Sequence, residues 1–121
     1  MTGVQTCALP IFTLVEIMIV VAIIGLLAAI AIPNFVRART TAQMNACINN
    51  LRQIDGAVQQ WALEQKKDTT ATVAEGDVTP YLKNSVVCPS GGTTFADSYT
   101  LTTVSSQPTC QKQSGTHKLP P

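Results

Sequence analysis

Only a few residues of this chain could do chemistry. Cys47, Cys88 and Cys110 offer thiols, His117 is the single imidazole, and Glu16 is a carboxylate set inside an apolar run; a fourth cysteine, Cys7, lies near the start. Three thiolates and an imidazole make a zinc ligand set, but closed zinc sites usually gather their ligands in close pairs. No two of these three cysteines lie within four residues of each other, so the spacing predicts no metal centre. Calcium needs several hard oxygen ligands, and Asp97 is the only acid after Asp77. Nucleophilic catalysis would need a thiol or hydroxyl, His117 and an orienting acid at motif spacing, which is absent. Gly91 and Gly92 follow no strand-to-helix pattern of a phosphate loop. These residues therefore predict no enzyme and no cofactor.

The thiols have a simpler use. Cys88 and Cys110 bracket a predicted hairpin, and closing that loop as a disulfide outside the cytoplasm would stabilise the chain by about 3 kcal/mol. Cys47 falls on an apolar helix stripe and reads as a buried thiol. Its pairing with Cys88 or Cys110 is the alternative.

The elements that must position these groups follow from how the apolar residues are distributed. The 121 residues are 45% hydrophobic and only 12% charged, with a formal net charge of +1. That balance excludes a disordered chain, and the eight scattered basic residues form no nucleic-acid-binding stripe. From Ile17 to Val36 there is no charge at all. Such a run is long enough to cross a bilayer as a helix, and the polar remainder is too small to surround a helix that is apolar on every side. Glu16 at its edge is costly in hydrocarbon unless partnered, which marks it as a functional candidate. Its other reading is a helix-start residue at headgroup level.

Pro33 should kink or locally melt the helix near Ile30 to Asn34. The helical period then resumes: Met44, Cys47, Ile48, Leu51, Ile54, Val58, Trp61 and Ala62 recur at spacings of three and four, to an end near Gln65. From Phe12 to Gln65 the rise amounts to roughly 80 Å. Beyond it come a polar connector to Asp77, a helical turn at Thr79 to Lys83 with threonine as cap, and two strand candidates, Thr93 to Phe95 and Tyr99 to Val104, joined at Ala96 to Ser98.

The run from Phe12 to Phe35 resembles the N-terminus of type IV pilins and type II secretion pseudopilins: a phenylalanine, a glutamate at the fifth place counted from it (Glu16) and a proline at the twenty-second (Pro33). The resemblance covers about residues 12 to 60 and, beyond them, only the layout. It implies cleavage before Phe12 by a prepilin peptidase, methylation of the new amine, and pairing of Glu16 with the N-terminus of an adjacent subunit. The bracketing pair Cys88 and Cys110 also agrees with the C-terminal regions of that family. Members carry a glycine before the phenylalanine and a basic leader. Here Met1 to Ile11 have no positive charge and Ile11 stands at the glycine position, a poor peptidase substrate. These eleven residues read as the in-frame translation of a sequencing adapter joined to a gene, so they are expected to be non-native and Cys7 is set aside with them.

The expected architecture is α+β: a long N-terminal helical spine packed by a small antiparallel hairpin. Residues 1–11 are the non-native leader, 12–36 the transmembrane and assembly helix, 37–67 the amphipathic second half, and 68–121 a loop-rich β head. The resemblance implies a structural subunit of a pilus-like or secretion pseudopilus filament, held single-pass in the inner membrane with the C-terminal domain extracytoplasmic. The positive-inside rule alone would instead place Arg37 and Arg39 in the cytoplasm. Implied partners are copies of itself or related pilins, the prepilin peptidase, an assembly platform membrane protein and membrane lipid, with no nucleic acid. The alternative is a single-pass anchored or secreted small disulfide-closed binding domain, with small residues at Ala28 to Ala31 offering a signal cleavage site.

Overall fold

A computed structural model of the chain describes residues 13–121. Phe12 and the eleven residues before it, including the expected leader and processing position, lie outside the described residues. The chain divides into two compact units, one ending at Ala38 and the other beginning at Arg39.

Helix α1, Leu14–Glu64, starts in the first unit and ends in the second. Thr13 starts it. The Glu16 N–H donates to Thr13 Oγ1 at 3.3 Å and the Thr13 N–H donates to Glu16 Oε2 at 2.7 Å, so the two satisfy donors that an open helix end leaves orphaned. Residues through Pro33 are helical, so the local melting expected between Ile30 and Asn34 does not occur. One proline removes a single intrahelical hydrogen bond and crowds one carbonyl, and the aliphatic turns on either side keep theirs.

The helix stops at a left-handed residue. Lys66 has φ 51°, the Lys67 N–H reaches back to the Ala62 carbonyl at 2.8 Å and the Lys66 N–H to the Leu63 carbonyl at 3.4 Å. That pair of bonds is a Schellman ending, in which a glycine usually holds the position Lys66 takes. The Lys67 ammonium then lies 5.8 Å from the Trp61 ring centroid.

In the second unit, α1 buries Cys47, Leu51, Ile54, Ala57, Val58, Trp61 and Ala62. Val73, Val78, Val86, Cys88, Phe95, Tyr99, Val104, Cys110 and Leu119 complete that core. Helix α2, Glu75–Val78, leads into a 3-10 turn at Thr79–Tyr81, where Thr79 lies inside the turn and is not its cap. Asp77 accepts from the Ala74 N–H at 3.0 Å to hold the start of α2.

Regular strand structure is minimal. Strands β1, Tyr99–Thr100, and β2, Thr109–Cys110, pair antiparallel with Tyr99 opposite Cys110. The expected strand from Thr93 to Phe95 is absent: Phe95–Ser98 is instead a helical turn, α3, because Thr94 Oγ1 accepts from the Asp97 N–H at 3.2 Å. Asp97 is further tied to Lys112 Nζ at 2.6 Å, and that hydrogen bond holds its carboxyl below the usual carboxylate range. The polar connector also pairs. The Val73 N–H donates to Thr102 O at 3.0 Å and the Val104 N–H to Ala71 O at 3.1 Å. The fold is thus α+β, with a long N-terminal helix and a small antiparallel sheet, but the partner of β1 lies ten residues downstream rather than just before it.

A non-glycine residue held at positive φ costs about 1 kcal/mol or more. Lys66→Gly is therefore expected to stabilise the second unit by about 1 kcal/mol, read as a raised thermal unfolding midpoint; an unchanged or lowered midpoint would show that the Lys66 backbone is unstrained.

Candidate functional site

Two groups of residues stand out, one in each unit. In the first, the apolar surface of α1 is bare: fifteen large hydrophobic side chains from Leu14 to Val36 are 48% to 76% exposed. The helix is long and apolar enough to cross a membrane. Glu16 sits at its start, with Thr13 as its partner inside the same chain. Pro33 lies near the end of the bare stretch, three residues before Val36.

In the second unit the cysteines converge. Cys47 comes from the buried face of α1, Cys88 from the segment before the Pro89 turn, and Cys110 from β2. All three are free thiols, with Cys88 Sγ 3.5 Å from Cys110 Sγ and 3.9 Å from Cys47 Sγ. His117 joins them: a donor atom from each of the four residues lies within 4.8 Å of the others, and all four residues are buried. The spacing argument against a shared site fails here, because four distant segments supply one residue each and the core, not sequence proximity, brings them together. The four residues could together hold a metal ion even though no two of the cysteines are close in sequence. Cys88 and Cys110 do adjoin, and Cys47 and His117 lie beside them within the same cluster.

The local structure explains each position. Register with Tyr99 turns Cys110 inward. Cys88 is held by its N–H, which donates to the buried Ser98 Oγ at 2.9 Å, while Ser98 Oγ donates to Thr94 O at 2.6 Å. The chain reverses after Cys88 through Gly91, at φ 107°, and the Gly92 N–H closes the turn on Cys88 O at 2.9 Å. His117 is fixed by a C-terminal turn in which its N–H donates to Gln113 O at 2.8 Å. Around the cluster, Asn50 Nδ2 donates to Tyr99 Oη at 3.0 Å and to Val87 O at 3.1 Å, clamping the helix to both Cys-bearing segments.

The thiols are electrostatically unequal. Burial pushes Cys47 up to about 12, with Cys110 beside it adding to the shift. Burial also raises Cys88, against a favourable N–H from Ser90. Burial acts on Cys110 as well, but the N–H groups of Gln113 and Lys112 and the two neighbouring thiols outweigh it and lower the Cys110 thiol. Burial likewise lowers His117, whose Nδ1 has no hydrogen-bond partner.

Similarity to known proteins attaches to this chain over up to two-thirds of its length. It is 45% identical over 56 residues to the type IV major pilin of Myxococcus xanthus, covering 46% of this chain and 26% of that one. It is 38% identical over 85 residues to the fimbrial protein EcpC of Eikenella corrodens, covering 68% and 56%. Its homologues are type IV pilins, fimbrial proteins and a pseudopilin. The pseudopilin is the type II secretion system core protein G of Klebsiella pneumoniae, 30% identical over 87 residues, covering 67% of this chain and 60% of that one. The chain spans less than two-thirds of the length of each of these pilin-type relatives. No family model and no solved structure matches it.

At the cluster, a Cβ on Gly92 would collide with Ser98 Oγ and stand 2.8 Å from the Cys88 backbone nitrogen. Overpacking of this kind costs about 1–3 kcal/mol. Gly92→Ala should lower the unfolding midpoint of the head, whereas Gly115→Ala, with open space around it, should not. Equal midpoints for the two variants would show that the Cys88 turn can relax.

Proposed function

We propose that the chain is a structural subunit of a type IV pilus-like or type II secretion pseudopilus filament, stored in the inner membrane through residues 12–36 and polymerised through that same helix. The observation that carries this reading is the bare apolar surface from Leu14 to Val36. Water cannot be its working environment, because an exposed patch of that size exceeds what soluble monomers carry. About 35 Å of helix matches a bilayer core, and the same side chains suit burial against neighbouring copies once the subunit leaves lipid. The pilin and pseudopilin homologues support the same assignment.

In this reading Phe12 carries the processed, methylated N-terminus after prepilin peptidase cleavage, and an assembly platform protein extracts the subunit. Pro33 acts as the hinge. Residues 37–67 carry the head, residues 68–121, on the extracytoplasmic side. Glu16 meets the amine of an adjacent subunit, where low dielectric strengthens the attraction and fixes register. The bond from Thr13 to Glu16 orients the carboxylate at the helix start until the neighbour's positive charge arrives.

Charge and cap can be separated. In a chain carrying a functional leader, Glu16→Gln keeps a capping acceptor but loses the charge, and Thr13→Val removes the cap but keeps the charge. Filament yield should fall at least tenfold for Glu16→Gln, with membrane insertion unchanged, and much less for Thr13→Val. Equal yields for Glu16→Gln and the parent would remove Glu16 from assembly. Mass spectrometry of the mature chain should find an N-methylated Phe12; cleavage near Ala28 to Ala31 would mark a secreted domain instead.

A further inference from the structure

We propose that Cys47, Cys88, Cys110 and His117 form a closed structural zinc site in the head. Four thiolates or imidazoles around zinc stand at the corners of a tetrahedron, and sulfurs bound at about 2.3 Å lie about 3.8 Å apart. The two sulfur separations from Cys88, 3.5 and 3.9 Å, bracket that value. The four donor atoms fall within 4.8 Å of one another, so one ion can reach all of them with small side-chain adjustments.

A disulfide would use only two of the four. It would leave the third sulfur and a buried imidazole packed against it with no assigned role. His117 is 5% exposed, and its buried Nδ1 has no hydrogen-bond partner. A buried polar nitrogen without a partner is costly, and a metal ion is one partner that removes the cost.

The chemistry selects the ion. The cluster contains no carboxylate, and a set of three sulfurs and one nitrogen suits zinc rather than magnesium or calcium. Binding Zn²⁺ expels three thiol protons to solvent and leaves a centre with one net negative charge. Backbone N–H groups of Ser90 at Cys88, and of Gln113 and Lys112 at Cys110, are already directed to the sulfurs and would offset that charge. With four protein ligands there is no open position for substrate, so the role is structural. The ion would tie the helix face to the Cys88 turn, to β2 and to the C-terminal turn.

The test uses the full chain in detergent, purified without chelator. One zinc per chain is expected by elemental analysis. After stripping under reductant, added Co²⁺ should give the d–d and thiolate-to-cobalt charge-transfer bands of a tetrahedral centre, and Zn²⁺ should displace it. Cys47→Ser and His117→Gln should each lower zinc occupancy at least tenfold, although neither residue belongs to a Cys88–Cys110 disulfide. Purified chain without zinc, giving no tetrahedral cobalt spectrum and a Cys88–Cys110 peptide pair lighter by two hydrogens, overturns the proposal. Full zinc content retained in Cys47→Ser or His117→Gln overturns it as well. The metal and spectral readouts on the unsubstituted chain decide the matter even where a variant fails to fold.

Discussion

The head depends on one strip of helix surface. Cys47, Leu51, Ile54, Val58 and Trp61 present a continuous apolar face, and nearly everything after Glu64 exists in order to cover it. The covering layer has little structure of its own: two strands of two residues, one isolated bridge between Thr72 and Thr103, and helical turns of three or four residues. Elements that short cannot persist alone, since their hydrogen bonds do not offset the entropy of ordering them. They are held by burial against the strip and by polar clamps at its edges, Asn50 to Tyr99 and Val87 on one side and Gln59 to Val104 on the other.

The two halves of that helix differ in what covers them. The second half is amphipathic and is covered by its own chain. The first half leaves large apolar side chains exposed from Leu14 to Val36. A small covering layer is marginally stable by itself, and small domains commonly add a covalent or metal staple. The convergence of Cys47, Cys88, Cys110 and His117 lies where such a staple would join the strip to the segments least able to hold themselves.

How much was legible follows from the range of the forces involved. The bare helix, its second-half stripe and the placing of Glu16 at the helix start rest on local residue types and on neighbours three or four residues apart, so periodicity and composition suffice. Thr93 to Ser98 reads as strand and connection from its residue types, whereas the Thr94 hydroxyl accepts from the Asp97 amide and closes a helical turn. Lys66 gave no warning that it would adopt the conformation usually left to glycine.

What sequence alone determined is the division of the chain into an uncharged helical segment, an amphipathic continuation and a polar, cysteine-bearing head. Each is a local property of side-chain type and spacing. Only the tertiary structure decided that β1 pairs with Thr109–Cys110 and that Cys47, 41 residues from Cys88, meets it and His117 in one buried cluster. Spacing along the chain carries no information about such a meeting. It arises because burying the apolar face of one helix draws distant segments over it, and the residues they carry meet there.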